Sequence, residues 1–178
     1  MRRKNTTSDN MKEYMSNALL ILMKKNKYKD ISIGEITSKA GVHRSTYYRN
    51  FKSKEDIIRY YYHSILEEYR SINNVRVDLK THLFRIFTHY YKYKNELLLL
   101  YKADVSYLML DSLNETFSLT FDGNTKIDKY FVYYHTGGIY NNFILWFSTN
   151  MEESPQEITE IVCSFLPKNT KPMLNQKD

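Results

Sequence analysis

The sequence contains little of what disulfide-rich, turn-rich or membrane-spanning proteins need. Its 178 residues include one cysteine, three prolines and five glycines. The single cysteine, Cys163, excludes an internal disulfide framework and a cysteine-rich zinc module. So few prolines and glycines argue against the many tight turns of a small all-β domain. The longest apolar runs, such as residues 97–101, are far too short to cross a bilayer.

What is present predicts a folded, all-α protein. Hydrophobic residues make up 42% of the chain and aromatic residues 15%, which is enough to form a core without disulfide or metal staples. The charged residues Arg2, Arg3 and Lys4 are not followed by the apolar segment of a signal peptide. Because a lone free thiol also suits a reducing compartment, we expect a cytoplasmic protein that does not enter the membrane.

The positive charge is concentrated in the first third of the chain. Residues 1–60 carry 14 basic and 6 acidic side chains, a net of +8. Residues 61–178 carry 12 and 14, a net of −2. This asymmetry favours a polyanionic partner for the first segment and a different task for the second. A solvated basic surface without a partner is the alternative.

The first third has the pattern of three short helices and the start of a fourth. Apolar residues recur at helical spacing over residues 9–25. Ser32 and Glu35 have the spacing of a capping box, and the short helix that they open ends at Gly41. A second short helix follows, after which Ser53 and the next three residues give another cap signal.

Two short helices joined by a glycine turn form a helix-turn-helix pattern. In DNA-binding versions of this motif, the second helix enters the major groove, where arginine reads guanine and hydroxyl groups bind several base edges. The second helix here carries the outward polar residues His43, Arg44, Ser45, Thr46 and Arg49. The motif and the charge together predict DNA binding, and a structural helical corner is the alternative.

Three short motifs stand in residues 31–58: Ala40-Gly41-Val42, Ser45-Thr46-x-Tyr48-x-x-Phe51 and Lys52-Ser53-Lys54. With them, about residues 8–60 resemble the DNA-binding domain of the tetracycline-repressor (TetR) family, and the rest resembles the family only in helical layout. The resemblance implies a three-helix DNA-binding domain over residues 1–53. It also implies a C-terminal effector-binding and dimerisation domain over residues 54–178.

The motif and the resemblance together predict DNA contacts from Ser32, His43, Arg44, Ser45, Thr46, Tyr48, Arg49 and Lys54. By resemblance, Arg44 and Ser45 face the bases, and Thr46 and Tyr48 touch backbone or bases. Ser32 and Lys54 match residues that meet phosphate, which agrees with the attraction of phosphate to helix N-termini. Tyr47 stands where the family has a smaller aliphatic residue, and we expect a core or edge role for it.

The last hundred residues contain nine tyrosines, eight phenylalanines and Trp146. Such a density suits an apolar cavity with hydroxyl groups that orient a ligand, and plain core packing is the alternative. The candidate ligand-binding residues are Phe87, Tyr90, Tyr91, Tyr101, Phe117 and Tyr134. By resemblance, a small-molecule effector bound here would shift the balance between DNA-competent and DNA-incompetent states.

The last two helical segments are the candidate for homodimerisation, since the family pairs these helices into a four-helix bundle between subunits. Gly137 and Gly138 lie inside the first segment, where each glycine costs about 1 kcal/mol. A close helix approach across a two-fold axis explains the pair, and a break between two helices is the alternative. The predicted interface residues are Gly138, Phe143, Trp146, Phe147, Ile158, Ile161, Val162 and Phe165.

Signals for other chemistry are weak. The sequence has no glycine-rich phosphate loop, no His-Glu-x-x-His and no Gly-x-Ser-x-Gly motif, so we expect no enzyme and no cofactor. His82 and His89 share a helical face and could approach a metal with His63 or Asp78. Because lone histidines on such faces are more often structural, we expect no metal site.

The sequence therefore predicts a homodimeric transcriptional regulator that binds a palindromic operator in double-stranded DNA. By resemblance it is a repressor that a small-molecule effector releases. One alternative is a TetR-like protein diverted to protein–protein regulation, such as an enzyme coactivator. The other is a small-molecule-binding or enzymatic helical protein.

Overall fold

A computed structural model describes residues 6–166, apart from Asn74, Arg76 and residues 121–124. For residues 6, 7, 117–120 and 128 it describes the backbone alone. The helices are α1 (Thr6–Met23), α2 (Ile33–Ala40), α3 (Arg44–Asn50), α4 (Lys54–Ile72), α5 (Leu79–Tyr91), α6 (Lys94–Lys102), α7 (Tyr107–Thr120), α8 (Lys126–Ser148) and α9 (Pro155–Phe165), with a 3-10 turn at Tyr28–Asp30. The all-α prediction is confirmed. No helix in the described part of the chain is long and apolar enough to span a membrane.

Local side-chain caps determine where several helices begin. Ser32, Ser53 and Ser154 each accept a hydrogen bond from the backbone N–H three residues later, and the acidic residue there accepts one from the serine N–H. These reciprocal bonds satisfy donors that a helix start otherwise leaves unpaired. Asp78 caps α5 in a similar way by accepting a bond from the N–H of Thr81.

Helices α1, α2 and α3 pack around a small core at the N-terminal end. Met15, Leu19, Ile36 and Tyr47 are buried there. Gly41 has a φ of 66° between α2 and α3, a left-handed conformation that glycine adopts without steric cost. Tyr47 lies fully inside this core, with its ring 6.1 Å from that of Phe51.

Helix α4 connects the two ends of the molecule, because it packs on α1 and also on α7. Beyond it, α7 packs on α8 and α9 packs on α5. The C-terminal half of α8 buries Phe143, Trp146 and Phe147 in the core. Phe143 and Trp146 meet Phe87 of α5, and Phe147 meets Tyr101 of α6. This aromatic packing forms the interior of the C-terminal part.

Candidate functional site

Helix α3 presents a polar face opposite its buried tyrosine. His43 directly before the helix is exposed, as are Arg44, Ser45, Tyr48 and Arg49 within it, and Thr46 is half-buried. The structure thus gathers six of the eight predicted DNA-contact residues on one short helix and its cap. Tyr47 anchors the opposite side in the core, so packing determines which face of α3 points outward.

His43 organises the first turn of α3. Its Nδ1 accepts a hydrogen bond from the backbone N–H of Ser45 at 3.2 Å and lies 2.8 Å from the Ser45 hydroxyl oxygen. The cap therefore fixes the positions of His43 and Ser45 relative to the helix.

Arg44 and Tyr48 form a pair one turn apart on the same face. Nε of Arg44 donates to the Tyr48 hydroxyl at 3.2 Å, and the guanidinium lies 5.7 Å from the Tyr48 ring centroid. The Tyr48 ring in turn meets that of Tyr47 edge-on at 5.2 Å. Because this contact uses Nε, the two terminal nitrogens of Arg44 suit a bidentate acceptor such as the guanine edge.

The C-terminal end of α3 is tied to the start of α1. The side-chain nitrogen of Asn50 donates to the backbone oxygen of Thr46 at 2.7 Å, and the Ser8 hydroxyl donates to Asn50 Oδ1 at 2.7 Å. Arg49 donates to the Thr46 hydroxyl at 3.3 Å. No periodicity in the sequence links Ser8 and Asn50, two polar residues that lie far apart in the chain, so their contact could not be predicted.

The other two predicted contact residues, Ser32 and Lys54, have bonds within the chain. The Ser32 hydroxyl takes part in the capping box of α2. The Lys54 ammonium donates to the backbone oxygens of Tyr28 at 2.9 Å, Lys29 at 3.3 Å and Ile31 at 2.7 Å. These bonds use all three ammonium protons. The phosphate contact predicted for Lys54 therefore competes with an intrachain role and stays a prediction.

Glu55 completes this junction between the 3-10 turn and α4. The Tyr28 hydroxyl donates to Glu55 Oε1 at 3.0 Å. Burial acts to raise the pKa of Glu55, but hydrogen bonds from its own backbone, Ser53 and Tyr28, together with the Lys54 charge, hold it below its ordinary value. Burial and the Glu55 hydrogen bond raise the pKa of Tyr28. The carboxylate is therefore charged and the phenol neutral at neutral pH.

Four of the predicted ligand-binding residues, Phe87, Tyr90, Tyr91 and Tyr101, belong to the aromatic packing between α5, α6 and α8. The Phe87 ring lies 5.6 Å from Trp146, and the Tyr91 ring stacks on the same indole at 5.8 Å. Tyr101 meets Phe147 edge-on at 6.2 Å. Phe87 and Tyr90 are buried, as the core-packing alternative expects, whereas Tyr91 is 37% exposed.

Of the remaining two candidates, Tyr134 does not join that group. Tyr134 lies on the exposed face of α8 with 79% of its surface accessible, away from the aromatic packing on the opposite face. The side chain of Phe117 lies outside the described residues. A ligand-binding role for these six residues stays a prediction.

Five of the predicted dimer residues lie in the core of the chain itself, namely Phe143, Trp146, Phe147, Ile158 and Val162. They pack within the chain and so offer no open apolar face, which differs from the expectation. The reason is that α8 is apolar on two faces, and its largest aromatic residues occupy the covered one. Gly138, Ile161 and Phe165 are exposed, and their interface role stays a prediction.

The uncovered face of α8 carries a different set of apolar residues. Ile127, Tyr130, Tyr134 and Leu145 are exposed by 80%, 79%, 79% and 67%. Together with Gly138 they recur at helical spacing along one side, opposite the buried side chains. We call these five residues the α8 stripe. Large apolar side chains exposed along one side of a helix are typical of an interaction surface.

Helix α8 runs without a break through Gly137 and Gly138. A methyl group built at either position would meet no heavy atom within 4 Å. The break between helices that the sequence allowed is therefore absent. Nothing in the described chain requires glycine here, so packing within the protomer gives no reason for the pair.

Two buried histidines take part in the core between α4 and α5. His82 Nδ1 lies 3.2 Å from the Tyr69 hydroxyl, and His89 Nε2 lies 2.9 Å from the backbone oxygen of Ile65. Burial lowers the pKa of both, and that of His82 falls to about 4. No group of three or more His, Cys, Asp or Glu in the described part of the chain is placed to hold a metal ion.

Comparison with known proteins finds similarity in structure alone. No protein-family model matches the sequence, and no curated protein matches it. A TetR-family transcriptional regulator from Streptomyces coelicolor is similar with a TM-score of 0.50 and 16% identity, over 86% of this chain and 80% of that one. The fatty acid degradation regulator FadR from Bacillus halodurans is similar with a TM-score of 0.57 and 14% identity, over 96% of this chain and all of that one.

At such low identity the similarity concerns the fold. The chain has an all-α, TetR-like fold, which confirms at that level the resemblance seen in residues 31–58. The similarity extends beyond the motif region, because it covers most of the chain in both comparisons.

Proposed function

We propose that the protein is a sequence-specific, DNA-binding transcriptional regulator and not an enzyme. The observation that carries this proposal is helix α3, which exposes His43, Arg44, Ser45, Tyr48 and Arg49 on one face while Tyr47 anchors the other. A short, rigidly anchored helix with arginine and hydroxyl groups on its outer face suits the major groove. The similar solved structures, both of regulators, support the same function.

The charge distribution supports the same surface. The net charge of +8 lies in residues 1–60, the segment that contains α3. Basic side chains near the helix would neutralise phosphates and release counterions, which makes binding sensitive to salt. In this proposal Arg44 and Ser45 read base edges, while Ser32, His43, Thr46, Tyr48 and Arg49 position the protein on the duplex.

We propose further that the protein is a homodimer that joins through the α8 stripe. A two-fold axis places the same patch of both subunits face to face, so a single apolar stripe is self-complementary. Gly138 lies within the stripe and would let two α8 helices approach closely, which gives the glycine pair a purpose. Ile161 and Phe165 of α9 extend the exposed apolar surface. Two α3 helices would then meet successive major grooves of a palindromic operator.

In finer detail, we propose that the protein is a cytoplasmic repressor, with a DNA-binding domain over residues 1–53 and a regulatory domain over residues 54–178. A small-molecule effector bound in the regulatory domain would favour the arrangement in which the two α3 helices no longer match the operator. The fold is the support for this part of the proposal.

Selection of bound sequences from a random DNA pool, followed by titration of the selected operator, tests DNA binding directly. We expect Arg44→Ala to weaken operator binding by about 1–3 kcal/mol and to relax the preference at one base pair of each half-site. Arg70→Ala removes the same charge from the far end of α4 and should change neither the affinity nor the base preference.

Two results would contradict the proposal. Recovery of no sequence motif, or binding that does not weaken as salt rises, would exclude a DNA-reading α3. In that case the same fold would be better explained by an N-terminal domain diverted to protein–protein regulation.

A further inference from the structure

A chain of charged side chains connects α7 to the corner between α3 and α4. Arg59 of α4 donates from Nε and Nη2 to Oδ2 of Asp111 in α7, at 3.3 and 3.2 Å. From Nη1 the same guanidinium donates to Oδ1 of Asp56 at 3.2 Å. The planar guanidinium, with five N–H groups, can hold two carboxylates at once in this way.

The second oxygen of Asp56 reaches the corner itself. Oδ2 accepts hydrogen bonds from the backbone N–H groups of Lys52 at 2.9 Å and Ser53 at 3.1 Å. Lys52 and Ser53 lie in the short link that joins the end of α3 to the start of α4. Asp56 therefore connects the link after α3 to Arg59, and Arg59 connects Asp56 to α7.

We infer that Arg59 is a positioning residue that couples the position of α7 to the orientation of α3. The inference rests on the proposed function, because it concerns how the body of the protein acts on the DNA-reading helix. When α7 moves away from α4, the hydrogen bonds between Arg59 and Asp111 break. The Arg59 guanidinium is then less restrained, and its bond to Asp56 is held less firmly. The corner is then less restrained, and α3 samples orientations that do not match the operator.

The exposure of the Arg59–Asp111 ion pair distinguishes a positioning role from a role in stability. The side chains of Arg59 and Asp111 are exposed by 40% and 53%, and half-exposed ion pairs add little to the free energy of folding. Variants of either residue should therefore fold. All of these variants also keep another contact between the same helices. The Ser112 hydroxyl donates a hydrogen bond to the backbone oxygen of Arg59 at 3.4 Å.

The test is a double-mutant cycle on operator affinity with Asp111→Asn, Arg59→Gln and the double variant of the full chain. The operator is the sequence selected by the wild-type protein. Networks of this kind change coupled affinities by about 2- to 30-fold, and we expect losses in that range for each single variant. Because Asp111 acts only through Arg59, adding Asp111→Asn to Arg59→Gln should cause no further loss.

Glu115→Gln is the matched control, since it removes the same charge one turn later on α7. If charge alone mattered, Asp111→Asn and Glu115→Gln would have the same operator affinity. That affinity would be slightly higher than in the wild type, because a negative charge is removed. The coupling instead weakens binding in Asp111→Asn alone. The salt dependence of binding should match that of the wild type, because no phosphate contact is lost.

Amide exchange of the free protein gives a readout that does not depend on DNA. Exchange at the Lys52 and Ser53 N–H groups should be faster in Asp111→Asn than in Glu115→Gln. Equal exchange, or additive losses of affinity in the cycle, would overturn the inference while leaving the proposed function intact. A wild-type protein that binds no DNA but shows the exchange difference would refute the proposed function and keep the mechanical coupling.

Discussion

Replacement of Lys54 by methionine distinguishes two roles for this side chain, a structural role within the chain and a phosphate contact. Methionine keeps an apolar stem but removes the ammonium that donates to the backbone oxygens of Tyr28, Lys29 and Ile31. The same ammonium lies 4.7 Å from the centroid of the Tyr28 ring. The variant thus releases the 3-10 turn from the start of α4.

The size of the effect follows from the burial of these bonds. Hydrogen bonds that involve a charged group contribute about 1.5–3 kcal/mol each when they are well shielded. The bonds to Tyr28 and Ile31 are partly buried, whereas the bond to Lys29 is exposed and longer. Since water replaces the exposed bond and part of the other two, we expect the free energy of unfolding to fall by about 2–3 kcal/mol.

The assay combines urea unfolding with operator binding over a range of salt concentrations. An ammonium whose three protons are used within the chain contributes no phosphate contact, so the slope of log Kd against log salt should stay unchanged. A lost phosphate contact would lower that slope by about 0.9. Lys52→Met removes an exposed charge two residues earlier and should leave stability unchanged.

One combination of results would refute this reasoning. If Lys54→Met kept the wild-type stability but lowered the salt slope by about 0.9 per protomer, the carbonyl bonds would be incidental. The phosphate contact predicted from the sequence would then be the function of Lys54.

Two further predictions concern the core and the α8 stripe. The pKa of His82 is about 4 in the folded protein, against 6.5 when unfolded, so its contribution to stability is complete above pH 6.5 and is lost as pH falls towards 4. Between pH 7 and 4.5, the free energy of unfolding measured in urea should therefore fall by about 2–3 kcal/mol less in His82→Gln than in the wild type. An equal fall in both proteins would exclude the buried neutral ring. Leu145→Glu should convert the proposed dimer to a monomer in sedimentation experiments and weaken operator binding. Ile72→Glu, at a residue 59% exposed at the end of α4 against 67% for Leu145, should do neither. A dimer of the Leu145→Glu variant would remove the stripe from the interface.

The parts of the fold that depend on local chemistry could be predicted from the sequence. The caps at Ser32 and Ser53 need only a partner three residues away, and both form as expected. The turn at Gly41 likewise depends on one residue's backbone freedom. The helix-turn-helix and its outward face follow from these short-range signals.

The face of α8 that joins the core could not be predicted in the same way. Apolar residues surround this helix, so periodicity does not tell which side is covered. Large side chains such as Trp146 suggest an interface as readily as a core. Lys54 shows the same limit, since its partners lie more than 20 residues earlier and no spacing rule connects them.

The open stripe on α8 has a consequence for gene dosage. If the protein dimerises through this surface as proposed, a protomer that must pair before it can occupy both halves of an operator fills that operator in proportion to the square of its own concentration when it is scarce. A twofold change in synthesis then becomes about a fourfold change in occupancy. The same exposed side chains make unpaired protomers prone to non-specific association, so a narrow range of cellular abundance would serve both solubility and a sharp transcriptional response.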